Sequence, residues 1–137
     1  VTSGAYAKAN GKKPLARVVA AAVAGVPPEI MGIGPAPAIR LLLARTGLKL
    51  SDISRFEINE AQGAQTLAVG RELGLDLSLL NVNGGAIALG HPLAATGVRL
   101  TITLARELAR SGKRYGISSA CVGGGQDIAL LIENPNA

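Results

Sequence analysis

Three side chains of this sequence could carry acid–base or thiol chemistry, and each stands where a predicted element begins or ends. His91 is the sole histidine; it follows a glycine-rich stretch and precedes Pro92 at the start of a long predicted helix. Cys121 is the sole cysteine; it ends an apolar predicted strand, directly before Val122 and three glycines. Asn59 ends a second predicted strand. Imidazole exchanges protons near neutral pH, and a thiol can serve as a nucleophile or as an acid/base group.

Each of these residues also has an ordinary structural interpretation. A lone histidine can simply make one hydrogen bond in a loop, a lone cysteine packs as a small hydrophobe, and asparagine is a good helix cap. Against this, open α/β sheets bind their ligands at strand ends, and the free N–H groups of a glycine turn can stabilise an oxyanion. The residue pattern alone therefore leaves acyl transfer, or a Cys-His-Asn site, open beside purely structural roles.

Two glycine patterns resemble nucleotide-binding motifs but lack their other residues. Gly85 and Gly90 have the spacing of a phosphate-binding loop, yet His91-Pro92 follow in place of Lys and Ser or Thr. Gly32-x-Gly34 is followed by proline, so the dinucleotide fingerprint fails. One histidine and one cysteine are too few for a structural zinc site. We expect no metal and no resident cofactor.

Composition predicts one globular domain in a reducing compartment. The chain has 137 residues, of which 48% are hydrophobic and 17% charged. Its longest uncharged apolar run, 18–26, is too short to span a membrane, and one cysteine cannot form an internal disulfide. The net charge of +5 accompanies only three aromatic residues, which argues against nucleic-acid binding and suits an anionic small molecule or partner.

Hydrophobic periodicity and Gly/Pro punctuation predict alternating helices and short apolar strands. This alternation favours a layered α/β domain with a largely parallel sheet, in which the last two strands pair antiparallel. The predicted helices are 4–10, 35–46, 60–73 and 93–111, with a half-turn at 51–52 and a glycine-rich loop at 82–90; the predicted strands are 15–24, 54–58, 114–121 and 126–133.

Several stretches of the chain resemble the thiolases, specifically the C-terminal half of the 3-ketoacyl-CoA thiolase and acetyl-CoA acetyltransferase group. The stretches are NVNGGAIALGHPLAATG at 81–97, CVGGG at 121–125, NEA at 59–61, PLARVV at 14–19 and MGIGPAPAI at 31–39. The resemblance covers essentially the whole chain. It implies that 1–137 is a thiolase-like C-terminal domain with a mixed sheet, and that the N-terminal half of the thiolase chain is absent.

The resemblance also implies a role for each candidate residue in an acyltransferase that cleaves a 3-ketoacyl-CoA with CoA or condenses two acyl-CoAs. His91 would deprotonate the nucleophilic cysteine and the CoA thiol, and would help to hold the thioester oxygen beside a water bound by Asn59. Cys121 would be the second acid/base at the α-carbon of the acetyl unit. Gly123 would offer its N–H to the acyl oxyanion. The substrate would contact Gly90, Gly124 and Gln62.

The chain departs from the family pattern at several places. The family's nucleophilic cysteine lies in the N-terminal half and has no counterpart here, so the chain alone should be inactive. Residues 1–3 would be the tail of a strand that the family places centrally in a five-stranded sheet. Gln62 stands where an aromatic residue usually follows NEA, and Ala94 stands where a glycine usually follows HPL.

The resemblance names partners and a compartment as well. Acyl-CoA and CoA would be substrates, the missing N-terminal half would complete the site, and the full protein would form dimers or tetramers in the cytoplasm or an organellar matrix. Two other functions stay open: a non-catalytic CoA- or acyl-binding or interaction module, and a hydrolase with Cys121 as its nucleophile.

Overall fold

The computed structural model describes residues 1–137 as a four-stranded sheet with helices on both faces. The strands are β1 (Arg17–Gly25), β2 (Arg55–Ile58), β3 (Tyr115–Gly123) and β4 (Gln126–Glu133). The α-helices are α1 (Gly4–Ala9), α2 (Pro35–Thr46), α3 (Gly63–Leu73), α4 (Ala86–Leu89) and α5 (Leu93–Ser111). Short 3-10 segments lie at Pro28–Ile33, Leu50–Asp52 and Leu77–Leu79.

The sheet is mixed, with strand order β1-β4-β3-β2. Only β2 and β3 form a parallel pair, whereas β4 pairs antiparallel with both β3 and β1. The antiparallel pairing of the last two strands is confirmed, and the expectation of a largely parallel sheet is wrong. The reason is that β1 does not join the parallel pair but adds to the far side of β4, more than 100 residues away in the chain.

The sheet contains no vacant central position, which corrects the expectation that a central strand is missing. Strand β4 pairs along its whole length with β1 on one side and β3 on the other. Residues 1–3 form no strand and lead into α1. Every interior strand therefore has its hydrogen-bonding partners within the chain, and the sheet has only β1 and β2 as its edges.

Two clusters of buried side chains hold helices on either face of the sheet, which makes a three-layer α/β domain. On one face, α2 and α3 bury Ile39, Leu42 and Val69 against Phe56 and Ile117. The other face is covered by α5, whose apolar stripe is Leu100, Leu104 and Leu108, as the sequence periodicity predicts. A Cβ at Gly116 would lie 2.7 Å from the Leu104 side chain, so glycine allows α5 to approach β3 closely.

Element boundaries agree with the sequence except near the candidate site. Helices α2 and α5 have the predicted bounds. Helix α3 begins at Gly63 rather than at 60, because residues 59–62 stay extended or bent and direct Glu60 at a neighbouring loop. The loop 82–90 contains one helical turn, α4, which the residue pattern does not predict. Strand β3 continues to Gly123, so only two glycines form the turn of the hairpin.

Candidate active site

The carboxyl end of β2 and the amino end of α5 bring Asn59 and His91 together. Asn59 directly follows β2 and is fully buried, and His91 lies two residues before α5 and is exposed. The Nδ2 atom of Asn59 and the Nε2 atom of His91 are 3.4 Å apart. Two of the three predicted polar groups therefore meet, although 32 residues separate them in the chain.

Thr96 determines which nitrogen of His91 carries the proton. The Thr96 hydroxyl lies 2.6 Å from His91 Nδ1 and donates its own proton to the Pro92 carbonyl at 3.0 Å. Because that hydroxyl has a single proton, it must accept from Nδ1–H of the neutral ring. The lone pair of the imidazole is therefore on Nε2, the atom that faces Asn59, and Nε2 is the nitrogen available as a proton acceptor.

Asn59 has an unused hydrogen-bond acceptor inside the protein. Its Oδ1 atom is buried and has no partner, while Nδ2 faces His91. A buried amide oxygen without a partner loses the free energy of a hydrogen bond, so such an atom needs a ligand or a water. Asn59 thus can bind an additional proton donor beside Nε2 of His91.

Glu60 connects the end of β2 to the loop that carries His91. Its Oε1 accepts from Asn81 Nδ2 at 2.9 Å, and its Oε2 accepts from the backbone N–H of Ile87 at 3.1 Å. A Cβ on Gly85 would overlap this carboxylate, which explains the glycine there. The loop that positions His91 is therefore fixed to the strand that positions Asn59.

A buried ion pair lies on the same face of β2 as Asn59. The Glu57 carboxylate is 3.3 Å from the Arg99 guanidinium of α5, and the Glu57 side chain is only 2% exposed. Burial raises the pKa of Glu57 to about 7, with Arg99 acting in the opposite direction and Glu60 and Glu107 adding to the rise. A carboxyl group that titrates near neutrality thus lies two residues from the Asn59 amide.

Cys121 lies at the same edge of the sheet as Asn59, one strand away. The Asn59 N–H donates to the Ser119 carbonyl at 2.9 Å, two residues before Cys121. Strand alternation, however, places Cys121 with Asp127 on the α2 face of the sheet and Asn59 on the α5 face. Neither His91 nor Asn59 hydrogen-bonds to the Cys121 sulfur. The convergence of all three groups on one pocket stays a prediction.

The Cys121 thiol is half-buried, and its environment favours the protonated form. Burial raises the pKa of the thiol, and the nearby Asp127 carboxylate raises it further, against a smaller opposing effect of the backbone N–H. A nucleophilic cysteine is normally activated by a lowered pKa. The chemistry that this environment supports is therefore proton transfer by a thiol rather than attack by a resting thiolate.

The remaining predicted site residues lie around the two loops. Gly90 directly precedes His91 with φ 90, and Gly123 and Gly124 form the end of the β3–β4 hairpin with φ 118 and 60. Gln62 is exposed and occupies the N-cap of α3, where its N–H faces Gln65 Oε1 at 3.5 Å. Their contacts with a substrate stay predictions.

Three residues that shape the site were not identified from the sequence: Thr96, Glu60 and Asp127. Thr96 lies five residues after His91, at the start of a helix. A threonine at such a position often bonds back to the chain, so the sequence could have revealed its contact with Pro92. Glu60 and Asp127 act through partners far away in the chain, so no local pattern reveals them. No group of three or more His, Cys, Asp or Glu side chains is placed to hold a metal ion, and none of the helices is long and apolar enough to cross a membrane.

Comparison with known proteins places this fold in a family. Residues 12–134 match the family model described as "Thiolase, C-terminal domain". The chain is 56% identical to the mitochondrial 3-ketoacyl-CoA thiolase of Bos taurus over 127 residues, which is 93% of the chain and 32% of that relative. It is 51% identical to the acetyl-CoA acetyltransferase of Escherichia coli over 130 residues, 95% of the chain and 33% of the relative.

Solved structures show the same fold. A crystal structure of human mitochondrial 3-ketoacyl-CoA thiolase superimposes with a TM-score of 0.94 at 52% identity, covering 96% of the chain and 33% of that structure. A second structure of the human enzyme, in complex with CoA, gives the same TM-score and identity. The chain spans about a third of the length of the relatives it matches. It belongs to the thiolase family, whose C-terminal domain it matches over nearly its whole length.

Proposed function

We propose that the chain supplies the proton-transfer half of a thiolase active site, which exchanges acyl groups between CoA thioesters. The observation that carries the proposal is the pairing of His91 with Asn59: Nε2 of His91 is free to accept a proton, and the buried Oδ1 of Asn59 lacks a partner. A bound water on Oδ1 would direct a proton toward the thioester oxygen, where negative charge develops. The fold and family are those of thiolases.

In the proposed thiolysis, the nucleophilic cysteine belongs to the part of a thiolase that this chain does not include. His91 takes its proton, and the resulting thiolate attacks the 3-keto carbon. The bond between the α- and β-carbons breaks, and its electron pair forms the enolate of acetyl-CoA, which takes a proton from the Cys121 thiol. The Cys121 thiolate regains its proton from the His91 imidazolium through solvent. The neutral His91 then takes the proton of a CoA thiol, whose sulfur accepts the acyl group, and returns that proton to the departing cysteine sulfur.

The environment of Cys121 supports the acid/base role over the hydrolase alternative. A hydrolase would need Cys121 as a thiolate paired with His91, but the thiol pKa is raised and His91 makes no hydrogen bond to the sulfur. A group that keeps its proton at neutral pH suits protonation of an enolate.

The substrates and partners follow from the relatives. Because a human relative has been solved with CoA, we propose acyl-CoA and CoA as substrates of the complete protein. The remaining two-thirds of a thiolase chain would cover exposed apolar residues of α5, of which Leu93, Val98 and Ile102 are 84%, 60% and 45% exposed. We propose that 1–137 acts as the C-terminal domain of a longer chain, which we expect to assemble as a dimer or tetramer in the cytoplasm or an organellar matrix.

A chimera tests the proposal. The C-terminal third of the Escherichia coli acetyl-CoA acetyltransferase is replaced by this chain, and thiolysis of acetoacetyl-CoA is measured. We expect turnover in the chimera, a loss of about 10²–10⁴-fold in kcat for His91→Ala and Asn59→Ala, and no change for the exposed Asn136→Ala. A folded chimera that binds CoA without turnover would contradict the proposal and favour a non-catalytic CoA-binding module.

A further inference from the structure

Asp127 is a fully buried carboxyl group for which the fold provides no hydrogen-bond partner. Its side chain is 0% exposed, and neither Oδ1 nor Oδ2 has a partner. It faces the start of α2 so closely that a Cβ on Gly34 would overlap the carboxylate. A helix start usually offers N–H donors to an anion, but two of the first three residues of α2, Pro35 and Pro37, have none. The start of α2 therefore does not explain why a carboxylate is buried at position 127.

Of the residues paired with Asp127 across the sheet, only Cys121 has a titratable side chain. In the ladders on either side of β4, Asp127 stands opposite Cys121 of β3 and Ala24 of β1. Residues directly opposite in antiparallel strands have their Cβ atoms about 4.5–5.5 Å apart on one face of the sheet. Glu29, the charged residue of the adjacent 3-10 segment, is exposed to solvent. The carboxyl of Asp127 and the sulfur of Cys121 thus share one poorly solvated environment.

We propose that Asp127 is a positioning residue for the acid/base role of Cys121, because its buried carboxylate keeps the adjacent sulfur in the thiol form. The inference rests on the proposed function for the significance of that role. Burial raises the pKa of Asp127 to about 6, so the carboxyl is ionised above that pH. A thiolate beside it would then place two negative charges together in a poorly solvated space.

The pH dependence of Cys121 alkylation tests this inference directly. Because the chain has a single thiol, the rate of iodoacetamide modification, followed by intact mass, reports on Cys121 alone. The wild-type chain is compared with Asp127→Asn, Asp127→Gly and Glu29→Gln, which makes the same charge change as Asp127→Asn at an exposed site. Far-UV circular dichroism confirms that each variant is folded.

We expect the pH of half-maximal rate to fall in both Asp127 variants and to stay unchanged in Glu29→Gln. At pH 7.5 the Asp127 variants should react roughly threefold faster, since the thiolate fraction rises more steeply than nucleophilicity falls. Easier access of the reagent would raise the plateau and leave the midpoint in place. Unchanged midpoints in folded Asp127 variants overturn the inference.

The inference is also overturned, without any variant, if the pH of half-maximal alkylation of the wild-type chain is at or below that of glutathione in the same buffer. The measurement needs no turnover, so its failure leaves the acyl-transfer proposal standing. An inactive chimera would in turn leave the alkylation result intact.

Discussion

At the scale of single residues, the proton-accepting role of His91 depends on Thr96. Thr96 is 2% exposed, and its hydroxyl both receives the His91 Nδ1–H and donates to the Pro92 carbonyl. His91, Asn59 and Cys121 could be selected from the sequence because their types are chemically distinctive and they stand beside predicted element ends. A threonine near the start of a helix is unremarkable in sequence, so its bond to the imidazole becomes visible only in three dimensions.

Removal of the Thr96 hydroxyl should weaken catalysis while leaving substrate binding intact. In the chimera with the bacterial relative, we expect Thr96→Ala to lower kcat about tenfold, the equivalent of one hydrogen bond, with little change in KM. Thr96→Ser retains the hydroxyl and should keep most of the activity. Equal activity of the alanine and serine variants would show that Thr96 does not set the tautomer of His91.

At the scale of elements, the contact between β2 and α5 positions the site and contains two buried ionic contacts. Arg55 of β2 meets Glu107 of α5 at 3.1 Å, and Glu57 of β2 meets Arg99 of α5 at 3.3 Å. The bounds of α5 followed from local signals, namely an apolar stripe and a terminal glycine. The strand order did not, because the pairing of β1 with β4 depends on residues more than 100 positions apart.

The buried Glu57 should make stability depend on pH. The pKa of Glu57 rises from 4.5 to about 7 in the fold, so its protonated form is favoured there. The resulting contribution to the free energy of unfolding is fully present below pH 4.5 and is lost as the pH rises through about 7. A shift of this size is worth roughly 3 kcal/mol, and Asp127 acts in the same direction at lower pH.

Urea unfolding at pH 5, 6 and 7.5 measures this effect. The free energy of unfolding of the wild-type chain should fall across the series, and Glu57→Gln should flatten the decline. Glu72→Gln, which removes an exposed carboxylate that pairs with Arg40, serves as the control and should keep the wild-type slope. A Glu57→Gln variant with the wild-type slope would contradict the assignment.

At the scale of the whole molecule, α5 has apolar residues on the side that faces away from the sheet as well as on the side that contacts it. Exposed apolar residues on neighbouring turns of a helix, here Val98 and Ile102, are typical of a surface that another part of a protein covers. The sequence periodicity identified the stripe that meets the sheet. It could not assign the second apolar side, because the chain by itself contains nothing that covers it.

Charged substitutions on the side of α5 that faces away from the sheet should reduce self-association of the isolated chain but destabilise the chimera. For Val98→Lys combined with Ile102→Lys, we expect less self-association of the 137-residue chain in sedimentation velocity. In the chimera the same change should lower the free energy of unfolding by more than about 3 kcal/mol, because two charges would be buried. Ile30→Lys with Leu67→Lys, at other exposed apolar positions, is the control. A chimera that tolerates both pairs equally would show that this side of α5 stays open to solvent.

A crystal structure of the chimera with acetyl-CoA bound tests the proposed mechanism most directly. In that mechanism His91 and Cys121, which start from opposite faces of the sheet at one edge, both reach the same thioester. We expect Nε2 of His91 and Sγ of Cys121 to lie within about 3–4 Å of the acetyl group. An acetyl group held by His91 and Asn59, with the Cys121 sulfur enclosed beneath α2 and out of reach, would contradict it.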